Sequence, residues 1–222
     1  MRLVLEKALY IFTKLFFYLL YHPLAWSYDI VSWIVSLGHW RSWIDTTLPY
    51  LTGNKVLELG YGPGHLQVSL LARGISTAGL DASRNMARIT RNRLRRSGLP
   101  NSAAIGYVQL LPFSIETFDQ VVATFPTDYI FEQETLEGVY RVLKPGGFLL
   151  VLPFAWLTGS RWYVRWIAKL FSVTHQAPSW DDGNMIPFIQ AGFSTERILV
   201  DLDSSKVLLI KAKKIIDKVQ SD

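Results

Sequence analysis

The chain has 222 residues, a hydrophobic fraction of 50% and a formal net charge of +5 at pH 7, a length that suits one well-buried α/β domain and not two. It contains no cysteine, which excludes a disulfide framework, a thiolate metal site and a cysteine nucleophile. A basic charge on an apolar chain favours an anionic membrane surface over nucleic acid as the binding partner.

The first segment raises the question of a membrane helix. Residues 8–21 are almost wholly apolar, but Lys14 interrupts them, and the segment is shorter than the roughly 20 residues that span a bilayer core. No A-x-A-like site follows, so we expect no cleaved signal peptide. Residues 1–21 are interpreted either as an interfacial helix on a membrane or as a helix packed on the domain's own surface.

Residues 1–46 as a whole are predicted to be helical, with a break at His22-Pro23. Within 26–44, large apolar residues recur in steps of four and three, which predicts one stripe along one helix. The residues of this stripe are Trp26, Ile30, Trp33, Leu37, Trp40 and Ile44.

Residues 47–222 form the second predicted unit, in which apolar runs alternate with helical patterns. Strands are predicted at 55–59, 75–80, 103–108, 118–124, 147–152, 194–201 and 205–212. Helices are predicted from residue 64 to a stop at Arg73-Gly74, from a cap at Ser83 to Gly98, and over 131–143. The alternation predicts a Rossmann-like α/β three-layer sandwich, with a mostly parallel seven-stranded sheet and an antiparallel final strand. A helical insertion is predicted at 154–182, after strand five.

A glycine-rich turn follows the first predicted strand. Gly60, Gly62 and Gly64 let the backbone approach a ligand closely and adopt positive φ. About twenty residues later, Asp81 ends the second strand, where a carboxylate can accept two hydrogen bonds from a ribose diol. A strand, a turn without bulky side chains, a helix and an acid at the tip of strand two predict a nucleoside site.

The details of the turn favour S-adenosylmethionine over NAD. Dinucleotide folds use G-x-G-x-x-G, because a pyrophosphate binds at the N-terminus of the following helix, whereas the spacing here is G-x-G-x-G. Pro63 removes one N–H from the turn, and Glu58 precedes the first glycine. A carboxylate there suits a ligand with a cationic amino-acid end and repels a pyrophosphate. The alternative is a strand–turn–helix whose glycines serve packing alone.

The pattern Glu58-x-Gly60-x-Gly62-x-Gly64 resembles motif I of class I S-adenosylmethionine-dependent methyltransferases. Three further segments follow in the order of that family and resemble its "LPF…FDxV…RVLKPGG" signature. They are 111–113, 118–124 and 140–151. The resemblance, to the methyltransferase type 11 group with its quinone-biosynthesis and small-molecule enzymes, spans about residues 54–152. It implies an enzyme whose cofactor is S-adenosylmethionine.

The resemblance also implies the cofactor contacts. The turn would hold the methionine end, Glu58 would orient the turn, Asp81 would bind the ribose and Ala82 would lie against the adenine. Many relatives have an acid about four residues before LPF, but this chain has Tyr107 there, so a backbone or Gln109 contact would replace it. The predicted cofactor-binding residues are Glu58, Gly60, Tyr61, Gly62, Gly64, Asp81, Ala82 and Gln109.

The segment after strand four bears on the acceptor. It lacks the N/D/S-P-P-Y/F/W sequence with which amino-methylating nucleic-acid enzymes grip a planar amine, which argues against adenine or cytosine N-methylation. Asp128, Tyr129 and His175 are candidates to take a proton from a hydroxyl or phenol. Asp29 is a fourth, because Tyr28-Asp29 resembles a pair near the methyl site in some relatives. For each of these four residues, the alternative to a role in proton transfer is a purely structural role.

No metal site is expected. The four histidines, His22, His39, His65 and His175, show no ligand spacing such as H-x-x-x-H.

Two basic segments suggest contacts with phosphate groups. Within 160–172, a row of basic residues runs beside a row with two tryptophans, which predicts an interfacial helix on an anionic membrane or a lid helix over the acceptor. The helix after Asp81 holds six arginines, four of which share one face. That face is interpreted either as a solvated surface or as a contact with lipid or RNA phosphates. The arginines of that face are Arg84, Arg88, Arg91 and Arg95.

Together these features predict a methyltransferase for a small hydrophobic acceptor, such as a quinone, a phenol or a lipid-like molecule. The expected location is the cytoplasm, with peripheral contact at the inner face of the membrane. The alternatives are an RNA methyltransferase, supported by the arginine helix, and a cofactor-binding protein without transfer activity.

Overall fold

The computed structural model describes residues 28–158 and 182–215. The predictions for segments 1–21 and 160–172, and for His175, lie outside the described residues.

The described residues form one seven-stranded sheet. Its strands are β1 (Lys55–Leu59), β2 (Ser76–Asp81), β3 (Ala103–Ile105), β4 (Phe118–Thr124), β5 (Leu143–Leu157), β6 (Phe193–Leu202) and β7 (Ser205–Lys214). Their order across the sheet is β3-β2-β1-β4-β5-β7-β6. Strands β1 to β5 are parallel, and β7 runs antiparallel to both of its neighbours. The predicted fold class is confirmed.

Helices cover both faces of this sheet. They are α1 (Tyr28–Val35), α2 (Trp40–Asp45), α3 (His65–Ala72), α4 (Arg84–Arg96), α5 (Gln133–Val142) and α6 (Ile186–Gln190). Short 3-10 helices occupy Leu48–Tyr50, Val108–Leu110, Asp128–Phe131 and Asp182–Met185. No helix within residues 28–158 and 182–215 combines the length and the apolar character needed to cross a bilayer.

The core is divided by the sheet into two layers. On one face, residues of α2 and α3 such as Trp43 and Leu66 pack against Val56 and Val122. On the other face, helices α5 and α6 pack against the alternate strand residues. Because both faces are covered, the exposed edge at the carboxyl ends of the parallel strands is where such a sheet binds ligands.

Helix α4 forms where its cap and its apolar spacing predict. The Ser83 hydroxyl accepts a hydrogen bond from the Met86 N–H at 3.2 Å, and the helix ends before Gly98, whose φ is +67°. Its buried face consists of Met86, Ala87, Thr90 and Leu94.

The single helical stripe predicted over 26–44 is wrong. Helix α1 ends at Val35, and Leu37 and Gly38 have φ values of +50° and +83°. The Gly38 N–H donates to the Trp33 carbonyl at 2.8 Å, which closes the first helix before α2 begins. Consequently Trp33 and Leu37 are exposed, whereas Ile44 is buried.

Strand β5 is longer than the predicted 147–152, and the predicted start of the insertion at residue 154 is wrong. The pairing of β5 with β7 extends to the Leu157–Ser205 pair, past an irregularity between Val151 and Phe154. Pro153, which has no N–H to donate to a neighbouring strand, lies in that irregularity. At the other end of the sheet, β3 has three residues where six were predicted.

Asp119 fixes the amino-terminal edge of the sheet, opposite the glycine turn. Its carboxylate accepts hydrogen bonds from the Lys55 N–H at 2.8 Å and from the Lys144 ammonium at 2.6 Å. The bond from Lys144 is the main reason why the pKa of Asp119 lies below its usual value.

Replacing Asp119 by alanine is expected to lower the free energy of unfolding by about 1–2 kcal/mol, because a charge-assisted bond and a backbone partner are lost. The contribution is present at neutral pH and disappears as the pH falls through the lowered pKa of Asp119, because the folded state must then take up a proton. Urea unfolding of parent and variant at neutral and acidic pH measures it. Asp201→Ala, which removes an exposed pair with Lys206, is the control and should change little. Equal stability of parent and Asp119→Ala at neutral pH would contradict the assignment.

Candidate functional site

The glycine turn after β1 has the conformation that its sequence predicts. Gly60, Gly62 and Gly64 have φ values of +65°, +51° and +78°. A Cβ atom on Gly64 would lie 2.4 Å from the Thr90 side chain, so a larger residue does not fit there. A Cβ atom on Gly62 would meet no atom within 4 Å. The backbone at Gly62 therefore faces open space, where a ligand can approach it.

Asp81, the last residue of β2, is held in a fixed orientation beside this opening. Its two carboxylate oxygens accept hydrogen bonds from the Gly62 and Ser83 N–H groups, each at 2.8 Å. Ala82, which lies between Asp81 and Ser83 in the sequence, is exposed at the same edge of the sheet. The predicted ribose and adenine contacts therefore lie next to the open part of the turn.

Glu58 lies beneath the turn in a buried polar network. Its side chain is 1% exposed and accepts a hydrogen bond from the Gln67 amide at 2.7 Å. The Gln67 carbonyl in turn accepts from the hydroxyls of Thr77 and Ser102. Burial, with a smaller contribution from the negative charge of Asp81, raises the pKa of Glu58 to about 8. The network ties the end of β1 to α3 and β2.

The raised pKa of Glu58 predicts a pH-dependent stability. Between about pH 4.5 and pH 8 the folded chain keeps a proton that the unfolded chain has lost, so the free energy of unfolding falls as the pH rises through this window. Glu58→Gln keeps an acceptor for Gln67 and cannot ionise, so it should flatten the curve and gain on the order of a few kcal/mol over the parent near pH 8. Urea unfolding across the window measures the difference. Parallel curves for parent and variant would contradict the assignment.

Three predicted cofactor residues direct their side chains elsewhere. The first is Glu58, whose buried carboxyl, with its raised pKa, offers no charge to the ligand and can act only by supporting the turn. Tyr61 is 3% exposed, and its hydroxyl donates to the Ala104 carbonyl at 2.9 Å, so only its backbone is available to a ligand. Gln109 donates to the Glu132 carboxylate at 2.6 Å and thereby joins the loops after β3 and β4. Tyr107, at the position where relatives have an acid, is exposed. A cofactor contact of Gln109 stays a prediction.

Helix α1 is attached to the glycine turn through Asp29. The Asp29 carboxylate lies 2.9 Å from the His65 Nε2 atom and also accepts from the Arg93 guanidinium, which donates as well to the Pro63 carbonyl. The bond from His65 is the main reason why the pKa of Asp29 is lowered. A carboxylate with a lowered pKa is a weak base, which favours a positioning role for Asp29. The sequence analysis did not identify His65 and Arg93 as partners of Asp29. Only the position of His65, directly after Gly64, indicated that it lies near the turn.

Tyr129 contacts the turn directly. It lies in the 3-10 helix after β4, and its hydroxyl donates to the Leu59 carbonyl at 3.3 Å. A Cβ atom on Gly60 would lie 2.7 Å from this hydroxyl. The neighbouring candidate Asp128 is exposed. Among the described residues that we considered as bases, Tyr129 therefore lies where a molecule to be methylated could contact it beside the turn.

An aromatic pair lies at the carboxyl end of β4. The rings of Trp40 and Phe125 stack with centroids 4.1 Å apart and an angle of 22° between their planes. Phe125 has a φ of +49°, a left-handed conformation that a bulky residue adopts only under constraint and often near functional sites. Both side chains are half-buried. The pair is a partly exposed aromatic patch beside the carboxyl end of β4, and Phe125 precedes Tyr129 by four positions in the sequence. Sequence reasoning did not identify this patch.

Comparison with known proteins agrees with this geometry. A family model described as "Methyltransferase domain" matches residues 56–147. The ubiquinone/menaquinone biosynthesis C-methyltransferase UbiE of Haemophilus ducreyi is 35% identical over 147 residues, which cover 61% of this chain and 56% of that protein. The enzyme of the same name from Blochmanniella floridana is 33% identical over 146 residues, covering 61% and 57%. The match thus spans little more than half the length of these curated relatives.

Solved structures share the fold. Geranyl diphosphate C-methyltransferase of Streptomyces coelicolor superposes with a TM-score of 0.61 at 14% identity, over 78% of this chain and 79% of that one. A Methanosarcina mazei protein described as a SAM-dependent methyltransferase superposes with a TM-score of 0.58 at 19% identity, over 78% and 98%.

Proposed function

Because the chain belongs to the class I S-adenosylmethionine-dependent methyltransferase family, we propose that it transfers a methyl group from S-adenosylmethionine to a small hydrophobic acceptor of the quinone or phenol class. The observation that carries the proposal is the open backbone at Gly62 beside the fixed carboxylate of Asp81. The relatives named for quinone C-methylation support the acceptor class.

The residues around the turn fit the cofactor. Asp81 would accept hydrogen bonds from the ribose hydroxyls, the backbone of residues 60–64 would hold the methionine end, and Ala82 would lie against the adenine. When bound, the cofactor supplies a methyl group already activated by its positively charged sulfur. The task of the protein is then to orient the acceptor and to exclude water.

The acceptor would lie between the turn and the aromatic pair. A planar ring can stack on the half-buried surface of Trp40 and Phe125. The Tyr129 hydroxyl, which donates its proton to Leu59, would accept a hydrogen bond from a hydroxyl of the reduced acceptor beside Gly60. On transfer, the bond from the methyl carbon to sulfur would be exchanged for one to the acceptor, and the acceptor would lose a proton to solvent; the residues around the turn would serve to hold the two molecules in line.

A hydrophobic acceptor of this kind dissolves in lipid. We therefore place the protein in the cytoplasm with access to the inner face of the membrane. The parts proposed for segments 1–21 and 160–172 stay predictions.

Replacing Tyr129 by phenylalanine tests the acceptor position. The variant should lower kcat/KM for the acceptor by about 10-fold, as expected for one lost hydrogen bond, and leave the affinity for S-adenosylmethionine nearly unchanged. The assay follows transfer of a labelled methyl group to a reduced, short-chain demethylated naphthoquinone. Tyr107→Phe, at an exposed position, is the matched control and should resemble the parent.

The same assay separates the alternatives. Transfer to RNA and not to the quinone would replace the proposed acceptor. Cofactor binding without transfer to any acceptor would favour a binding protein without activity.

A further inference from the structure

The two edges of the sheet differ in length. Strand β3, at one edge, has three residues, whereas β6, at the other, has ten. All ten pair with β7 in one continuous register without a bulge. Within residues 28–158 and 182–215, no strand pairs with the outer side of β6. Proteins often protect an edge by shortness, proline, lysine or a bulge, and β6 has none of these. The length and regularity of β6 therefore suit the addition of a further strand.

The pairing of β6 with β7 establishes which backbone groups of β6 face outward. The Ile215 N–H donates to the Gly192 carbonyl at 3.2 Å, in register with the rest of the pairing. At the other end, the Leu202–Ser205 pair encloses a two-residue turn, and such a pair is hydrogen-bonded. Because the backbone direction alternates along an antiparallel strand, the even-numbered residues of β6 bond to β7. The odd-numbered residues therefore direct their N–H and C=O groups toward the outer side.

The side chains in the middle of this edge form a pattern that is complementary to itself. Three odd-numbered residues there are exposed, Arg197, Leu199 and Asp201. A two-fold axis through Leu199 would set Arg197 opposite Asp201 of a second copy, on both sides of a contact between the two leucines. On the other face of the sheet, the same axis would set Ile198 opposite Val200 of the second copy, and both are half-buried here. Opposite charges and branched aliphatic pairs stabilise antiparallel strands when they lie directly across from each other.

Shifting the axis removes this complementarity. With the axis at Arg197 or at Asp201, that residue would face its own copy, and like charges would meet. With the axis at Ile198 or at Val200, a charged side chain would face Leu199. Among these registers, only the axis at Leu199 sets each charge opposite one of the other sign.

We propose that β6 pairs with β6 of a second copy of this chain, antiparallel about Leu199, so that two seven-stranded sheets join into one. Asp201 already lies 2.8 Å from Lys206 of its own chain, and a carboxylate can also accept a hydrogen bond from Arg197 of the second copy. Pairing along one strand buries little area, so the dimer should dissociate in the micromolar range. The association is independent of which molecule the protein methylates.

Charge reversal tests the register. Sedimentation velocity of the full chain over about 1–500 µM gives the Kd of the parent dimer. R197D and D201R each set like charges opposite each other at two symmetric positions, so each should raise Kd by about 10–100-fold. The double variant R197D/D201R restores opposite signs and should return Kd to within about threefold of the parent. K213D makes the same charge change as R197D at an exposed position of β7 and is the control, which should dimerise like the parent.

A single cysteine tests the position of the axis. The chain has no cysteine, so L199C would carry its only thiol. Across the axis, the two Cα atoms of residue 199 would lie about 5.5 Å apart, within the range that a disulfide spans. Mild oxidation should therefore crosslink L199C into a covalent dimer. E196C, at another exposed position of β6, should stay uncrosslinked, because its two copies would lie about 20 Å apart along the strands.

Circular dichroism and thermal unfolding of each variant establish that it is folded. A parent that is monomeric over the whole concentration range would overturn the proposal. So would single reversals that leave Kd unchanged, a double variant that dimerises no better than the single ones, or equal crosslinking of L199C and E196C.

Discussion

Replacing Asp81 by alanine is expected to weaken S-adenosylmethionine binding by about 1.5–3 kcal/mol, which is about 10–150-fold in Kd. The variant loses the charge-assisted bonds to the ribose, and the Gly62 N–H loses the partner that fixes the turn. Isothermal titration calorimetry of parent and variant measures the change. Asp81→Asn should lie between the two, because its amide oxygen can still accept one of the backbone bonds.

Asp119→Ala is the control for this experiment. It also removes a carboxylate that accepts a backbone N–H, but at the amino-terminal edge of the sheet. It should therefore lower stability without changing the affinity for the cofactor. An Asp81→Ala protein that is folded and binds S-adenosylmethionine like the parent would contradict the ribose assignment.

Replacing Gly62 by alanine should reduce cofactor affinity on the order of 100-fold or more. The added methyl group would project into the open space beside Asp81, where it would displace the ligand from the backbone. The left-handed φ of +51° costs the variant about 1–2 kcal/mol of stability in addition. Calorimetry gives the affinity, and urea unfolding gives the stability.

Gly74→Ala is matched to this variant. Gly74 has a φ of +78° and also has no atom within 4 Å of an added Cβ, but it ends α3 away from the site. It should share the loss of stability and keep the parent's affinity. Equal affinities of the two variants would mean that the opening at Gly62 is not where the cofactor binds.

The parts of the fold that the sequence predicted are those specified by local signals. Strands β1 and β4 have the predicted bounds, because each is a short apolar run next to turn residues. The positive φ values of Gly60, Gly62 and Gly64 follow from their spacing. Asp81 was predicted at the site because it ends the second apolar run of the chain, which forms β2.

The parts that could not be predicted depend on contacts between distant residues. The break before α2 places Leu37 at positive φ, against its intrinsic preference. Arg93 could not be distinguished from the other arginines of α4 until its partner Asp29, which lies 64 positions away in sequence, was known. The stacking of Trp40 on Phe125 and the extension of β5 along β7 are also long-range contacts, which periodicity does not report.

Titration of the purified protein with S-adenosylmethionine and S-adenosylhomocysteine by calorimetry, with NAD as control, tests the central claim most directly. The structure predicts micromolar binding of both sulfur nucleosides and no binding of NAD. Binding of NAD, or no binding of either sulfur nucleoside to a protein shown to be folded, would contradict it.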